Sequence, residues 1–168
     1  EIKNVKYEVL NEDGTYAEVD GATFKNIYAG DGKTSINLNG ASIISGDIAL
    51  GDGSNTISIR SSLDMTGKII LTENGTLEIS AYPNAVIANN TLTVCFDASA
   101  SLETITYDWA DIAGVDKVRI LVSNDPSFQT YEFAIGLYNR TQNFTIITEK
   151  DNFIQIQAQN EDGWSHLI

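Results

Sequence analysis

Residues 27–47 read IYAGDGKTSINLNGASIISGD, residues 48–68 read IALGDGSNTISIRSSLDMTGK, and residues 69–80 read IILTENGTLEIS. Ile27, Ile48 and Ile69 open successive units, so the chain repeats with a period of about 21 residues. Each unit holds a short apolar segment, a Gly/Asp/Asn turn, an alternating strand and a second short turn. In Ile36-Asn-Leu38, Ile57-Ser-Ile59 and Leu77-Glu-Ile79 the alternation puts aliphatic side chains on one face and polar ones on the other. One such unit is too small to bury its apolar face alone. Stacked units share a continuous core, and a period of this size is the mark of a β-solenoid.

The repeat frays at both ends. Gly21-Ala-Thr-Phe24 matches Gly40-Ala-Ser-Ile43 and, more loosely, Ser61-Ser-Leu63, so the solenoid is expected to begin near Tyr16 with an irregular first rung. A terminal rung is atypical because it must cap an open sheet end. Three to four rungs are expected, spaced by about 4.8 Å. Upstream, Val5-Lys-Tyr7-Glu-Val9 reads as a strand that ends in the turn Asn11-Glu-Asp-Gly14. Downstream, Ala81-Tyr-Pro-Asn84 and Ala88-Asn-Asn90 interrupt the period. Beyond them the pattern changes to separate strands joined by turns: Leu92–Phe96, Ile105–Trp109, Val118–Val122, Tyr131–Ile135, Phe144–Ile146 and Ile154–Ala158. Short strands at this density are the signature of a sandwich.

Two segments carry a resemblance to a known family. Tyr107-Asp-Trp-Ala-Asp-Ile-Ala-Gly114 with Val118-Arg-Ile-Leu-Val-Ser-Asn-Asp-Pro-Ser-Phe128, and Ile154-Gln-Ile-Gln-Ala-Gln-Asn-Glu-Asp-Gly-Trp-Ser165, resemble a bacterial fibronectin type III domain. The resemblance implies that Trp109 is a core tryptophan and that Ala158 to Ser165 form a last hairpin. The Gly/Asp/Asn-rich units resemble repeats of bacterial surface adhesins and autotransporter passenger regions. The expected fold is therefore all-β: a short β-solenoid with its N-terminal strand over residues 1–82, followed by a fibronectin type III-like β-sandwich over residues 83–168.

Composition narrows the function classes. The 168 residues carry 10 basic and 23 acidic side chains, a formal charge of −13. Residues 1–81 contribute −6 (twelve acidic, six basic) and residues 82–168 contribute −7 (eleven acidic, four basic). Such a surface repels nucleic-acid phosphate and anionic lipid. No stretch is long and apolar enough to cross a bilayer as a helix. The chain opens at Glu1 without a signal peptide, as expected of a mature product or a piece of a longer protein. Cys95 is the single cysteine, which excludes an intrachain disulfide. It is expected to be an inert small side chain rather than an interchain bridge. Asn74, Asn89, Asn139 and Asn143 stand in N-glycosylation sequons.

Gly51-Asp-Gly-Ser-Asn-Thr-Ile57 resembles half of a calcium-binding nonapeptide, which makes Asp31, Asp52 and Asn55 the metal candidates. The competing reading gives glycine the corner conformations and lets Asn or Asp cap the turns. Calcium is therefore the one cofactor considered. Asp31, Asp47, Asp52 and Asp64 all fall in turns, with Lys33, Arg60 and Lys68 as the nearby cations. No nucleophile pattern, phosphate loop or zinc spacing is present, and His166 is a lone histidine near the end, so catalysis is not expected. Tyr131, Tyr138 and Trp164 form either a carbohydrate platform or strand-face packing. Val5, Tyr7, Val9, Trp164 and Leu167 are the candidates for head-to-tail assembly by strand addition. These features lead to an extracellular or cell-surface module of prokaryotic type. Its expected role is structural or adhesive and non-enzymatic: a stalk or filament whose partners are its own copies or flanking repeats. The alternative is a carbohydrate-binding or spacer fragment of a secreted enzyme.

Overall fold

The computed structural model describes residues 5–10, 16–21, 23–96, 99–108, 114–138, 143–150, 152–160 and 163–167. The chain is all-β, and its centre is a solenoid of three regular turns with three faces. The first turn comprises β3 (Thr23–Phe24), β4 (Ile27–Tyr28) and β5 (Thr34–Leu38). The second comprises β6 (Ser42–Ile44), β7 (Ile48–Leu50) and β8 (Gly53–Ile59), and the third β9 (Ser62–Met65), β10 (Ile69–Leu71) and β11 (Gly75–Ala81). Equivalent strands pair in parallel, as Ile36↔Ile57↔Ile79 on one face and Ile27↔Ile48↔Ile69 on another. The period read from the sequence is thus the rung-to-rung register, and the inward isoleucines of these rows stack on one another, whereas inward Leu77 lies on Asn55 and Leu63 on Ser42.

The N-terminal strand β1 (Val5–Leu10) forms a hairpin with β2 (Tyr16–Gly21) and lies antiparallel on β5. It is paired along both edges, which corrects the expectation that Val5, Tyr7 and Val9 offer a free strand. The hairpin caps the first turn in the way an exposed sheet end requires.

After the third turn the chain continues the same sheets. β12 (Val86–Ile87) pairs with β9, and β13 (Thr91–Cys95) lies parallel on β10. The chain then makes an excursion through β14 (Leu102–Tyr107) and β15 (Lys117–Ser123) before β16 (Phe133–Tyr138) lays itself parallel on β11. β17 (Phe144–Glu149) lies parallel on β13, with β14 antiparallel on its far side. β15 pairs antiparallel with both β16 and β18 (Phe153–Asn160), and β19 (Gly163–Leu167) closes a terminal hairpin with β18. The main sheet therefore has nine strands in the order β19-β18-β15-β16-β11-β8-β5-β1-β2.

The strands anticipated beyond residue 91 exist, but a fibronectin type III-like sandwich is not confirmed. That architecture needs antiparallel partners, whereas β13, β16 and β17 each make a parallel pairing with the solenoid stack. A row of Ile36, Ile57, Ile79, Ile135, Ile120 and Ile156 crosses the nine-stranded sheet, joining residues from both halves of the chain in direct register. One hydrophobic cluster includes Ile36, Leu77, Phe133 and Phe144, so hydrogen bonding and core run without a break across residues 82 and 83. Trp109, expected in the core, lies outside the described residues.

Candidate ligand groove on the outer sheet face

Period-2 alternation decides what the outer face of the nine-stranded sheet displays. In β11 the inward residues are Leu77 and Ile79, which leaves Glu78 and Ser80 outside. In β16 the outward positions are Ala134, Gly136 and Tyr138, and in β15 they include Lys117 and Arg119. Register sets these in rows: Ser80↔Gly136↔Arg119↔Gln157, and beside it Tyr138↔Lys117↔Gln159↔Trp164. Ala134 and Gly136 raise almost nothing above the backbone, so a trough opens over β16. A Gly within a strand is a site where another group can approach the backbone closely. The groove has a volume of about 330 Å³ and is walled by Glu78, Tyr82, Lys117, Arg119, Tyr138 and Trp164.

The side chains around the groove hold one another in place. The Arg119 guanidinium lies 4.5 Å from the centre of the Trp164 ring and 5.9 Å from that of Tyr131. Arg119 Nη2 and Nε donate to Gln157 Oε1 at 2.6 and 3.2 Å, and Gln157 Nε2 donates to Gln155 Oε1 at 3.2 Å. Tyr131 Oη donates to Glu78 Oε1 at 2.8 Å. Burial, followed by this bond to Glu78 and the charge of Glu78, raises the Tyr131 pKa above the usual phenol value, while Arg119 acts in the opposite sense. Tyr131 is therefore a neutral donor at ordinary pH. Lys117 Nζ lies 5.1 Å from the Tyr138 ring. At the far wall Arg60 stacks on Tyr82 at 4.3 Å and donates to its hydroxyl at 3.0 Å. Cations held over aromatic faces are oriented at little conformational cost.

The three aromatics singled out in the sequence thus share one surface. Trp164 is 38 % exposed, and Tyr131 and Tyr138 are half-buried. The sequence reading missed Lys117, Arg119, Gly136, Glu78 and Gln157. The available signal was alternation: Lys117-x-Arg119 and Gln155-x-Gln157-x-Gln159 each place like polar groups on one strand face.

The calcium candidates sit elsewhere, in the solenoid turns. Asp31 Oδ1 accepts the backbone N–H of Asp52 at 3.0 Å, and Asp52 Oδ2 accepts the Asn74 side-chain amide at 3.3 Å. Asn55 is buried and points inward. Its Nδ2 donates to the carbonyls of Gly51, Gly53 and Thr76 at 3.1, 3.2 and 3.2 Å. A calcium ligand must offer oxygen; Asn55 Oδ1 has no hydrogen-bond partner among the described residues, but it is buried, whereas the carboxylates of Asp31 and Asp52 make their contacts in exposed turns. Among the described residues no three His, Cys, Asp or Glu side chains converge as a metal site. Asp64 occupies the outer side of β9. Cys95 is fully buried, and His166 pairs with Gln157 through the backbone of β19. Trp164 and Leu167, proposed for assembly, both belong to β19, an edge strand of the main sheet.

No protein-family model, curated protein or solved structure matches the chain.

Proposed function

We propose that this chain is a non-enzymatic, extracellular adhesive module that binds carbohydrate in the groove over β16. The observation that carries this reading is the arrangement of Trp164, Arg119 and Tyr131 beside a floor made by Gly136 and Ala134. Sugars present apolar C–H faces flanked by hydroxyls. Aromatic rings receive the former, and polar groups that line the groove, such as Glu78, Lys117 and Arg119, receive the latter. Glycoside hydrolysis usually needs two carboxyl groups across the scissile bond. Among the described residues lining this groove Glu78 is the single carboxylate, and it is engaged by Tyr131. A solenoid suits display, because its stacked sheets hold outward side chains on a rigid lattice. The test is a glycan array probed with the intact chain, followed by calorimetry. Trp164→Ala and Tyr138→Ala should each weaken binding without unfolding the protein. Failure to bind any glycan would remove this reading.

A second reading is self-association into a stalk. What favours it is the position of the sheet ends: among the described residues β2 and β19 each have a single partner strand and terminate opposite edges of the nine-stranded sheet. Strand addition of β19 from one copy to β2 of the next would continue the stack without closing. Negative-stain microscopy at high protein concentration tests it; dispersed single particles would reject it.

A further inference from the structure

We propose that the groove selects acidic sugars, with a carboxylate or sulfate of the glycan received between Arg119 and Lys117. This inference rests on the carbohydrate reading above and adds the chemical class of the ligand.

The first observation is the placement of charge. Residues 82–168 carry only four basic side chains against eleven acidic ones, and two of the four, Lys117 and Arg119, are alternate residues of one strand facing one groove. A third cation, Arg60, stands behind Tyr82 at the opposite wall. Glu78 also lines the groove, so its described lining carries two cations against one carboxylate, a net positive spot in a chain of charge −13 that an anion experiences on approach.

The second observation is how these cations are held. The described contacts of Arg119 are to Gln157, Trp164 and Tyr131, and that of Lys117 is to Tyr138, with no carboxylate among them. Gln157 is a neutral acceptor and is itself buried, so it aims the guanidinium without neutralising it. A structural arginine on an acidic surface would gain more from a carboxylate partner. An arginine positioned by an amide and two rings keeps its charge for a ligand. Its planar fork matches a carboxylate or sulfate, and Lys117 adds a second point charge.

The third observation is geometric. The rings of Trp164 and Tyr138 flank the cations, and Gly136 lies directly opposite Arg119 in the ladder. A pyranose ring lying on the glycine floor would meet an aromatic face and bring an acidic substituent to Arg119. Nucleic acid shares the anion-plus-ring chemistry. It is disfavoured because a continuous polyphosphate would run from this short groove onto a strongly acidic surface.

The experiment is calorimetry of the intact chain against four probes of matched length. They are oligogalacturonate, a chondroitin sulfate oligosaccharide, a neutral cello-oligosaccharide and oligo-dT, with sodium sulfate as the free-anion control. At least one acidic oligosaccharide should bind about tenfold or more tighter than the neutral one. Its affinity should fall with added salt, as expected for exposed charges. Arg119→Gln and Lys117→Gln should each cut that affinity several-fold, and Lys117→Gln, which removes only a contact to the Tyr138 ring, should do so with an unchanged melting temperature. Gly136→Ala should weaken binding by raising the floor. A Cβ there lies 3.7 Å from the Ile79 carbonyl, an ordinary contact that leaves the fold intact. Equal affinity for neutral and acidic sugars would overturn the charge assignment and leave the carbohydrate reading standing. Binding of no sugar would overturn both, as would tightest binding to oligo-dT. Sulfate alone matching the sulfated oligosaccharide would reduce the site to an anion pocket and reject the sugar.

Discussion

Asp47 Oδ1 accepts the backbone N–H of Lys68 at 2.8 Å, one solenoid turn further on. The contact is one step of a ladder, since Asn26 Oδ1 accepts the N–H of Asp47 at 2.9 Å in the same way. Asp31 and Asp52 repeat the device at the neighbouring corner. Acidic side chains in these turns act as clamps between rungs, where the strand ladder is interrupted and amides would otherwise lack protein acceptors.

Replacing the clamp should separate charge from hydrogen bonding. Asp47→Ala is expected to cost about 1 kcal/mol, the usual net value of such a bond. Asp47→Asn keeps an acceptor oxygen at the same place and should lie close to the parent. Urea unfolding of the three proteins checks the order, and equal losses in both variants would show that the charge matters rather than the bond.

Two corner glycines should respond differently to the same substitution. Gly32 and Gly53 both have positive φ, +113° and +102°, but only at Gly53 would a Cβ collide, 2.6 Å from the Gly32 carbonyl oxygen. Gly32→Ala is expected to cost about 1–2 kcal/mol through backbone strain alone. Gly53→Ala should cost clearly more, because the rung beneath must also move. Comparison of the urea midpoints decides it.

Calcium should leave stability unmoved. Asp31 and Asp52 already serve as acceptors within the turns, and Asn55 turns its amide nitrogen to carbonyl groups. A ligand that bound the folded state would raise the melting temperature by mass action. Thermal scans with millimolar calcium and with a chelator should therefore coincide, and a rise of several degrees with calcium would restore a metal site.

Tyr107 supplies a pH signature. Burial, and secondarily the charge of Glu103, push its pKa from 10.0 up to about 12. The folded protein holds the phenolic proton more tightly than the unfolded chain does. The resulting stabilisation is complete below pH 10 and is lost as pH rises from 10 towards 12. Ultraviolet titration should show Tyr107 ionising late, with Tyr131 also displaced upward, and stability should fall over this window. Tyr107→Phe should remove both the late step and its share of the slope.

Much of this fold is legible in the chain because its determinants are local. Ile36, Ile57 and Leu77 each announce an inward position by simple alternation, and the spacing of Ile27, Ile48 and Ile69 gives the height of a turn in residues. The aromatic members of the groove were also visible as candidates. Their common location was not, since Tyr131, just before β16, and Trp164 of β19 are brought together by Arg119 of β15.

The sequence by itself determined an all-β chain, a solenoid of about three turns and the inward faces of its strands, because each follows from neighbours along the backbone. Only the tertiary structure decided that β16 and β17 return to lie parallel on β11 and β13. It alone sealed β1 on both edges and gathered Lys117, Arg119 and Trp164 around Gly136. Those relationships depend on register between distant strands. A period-2 pattern accepts many partners, and burial of the whole shared core selects among them.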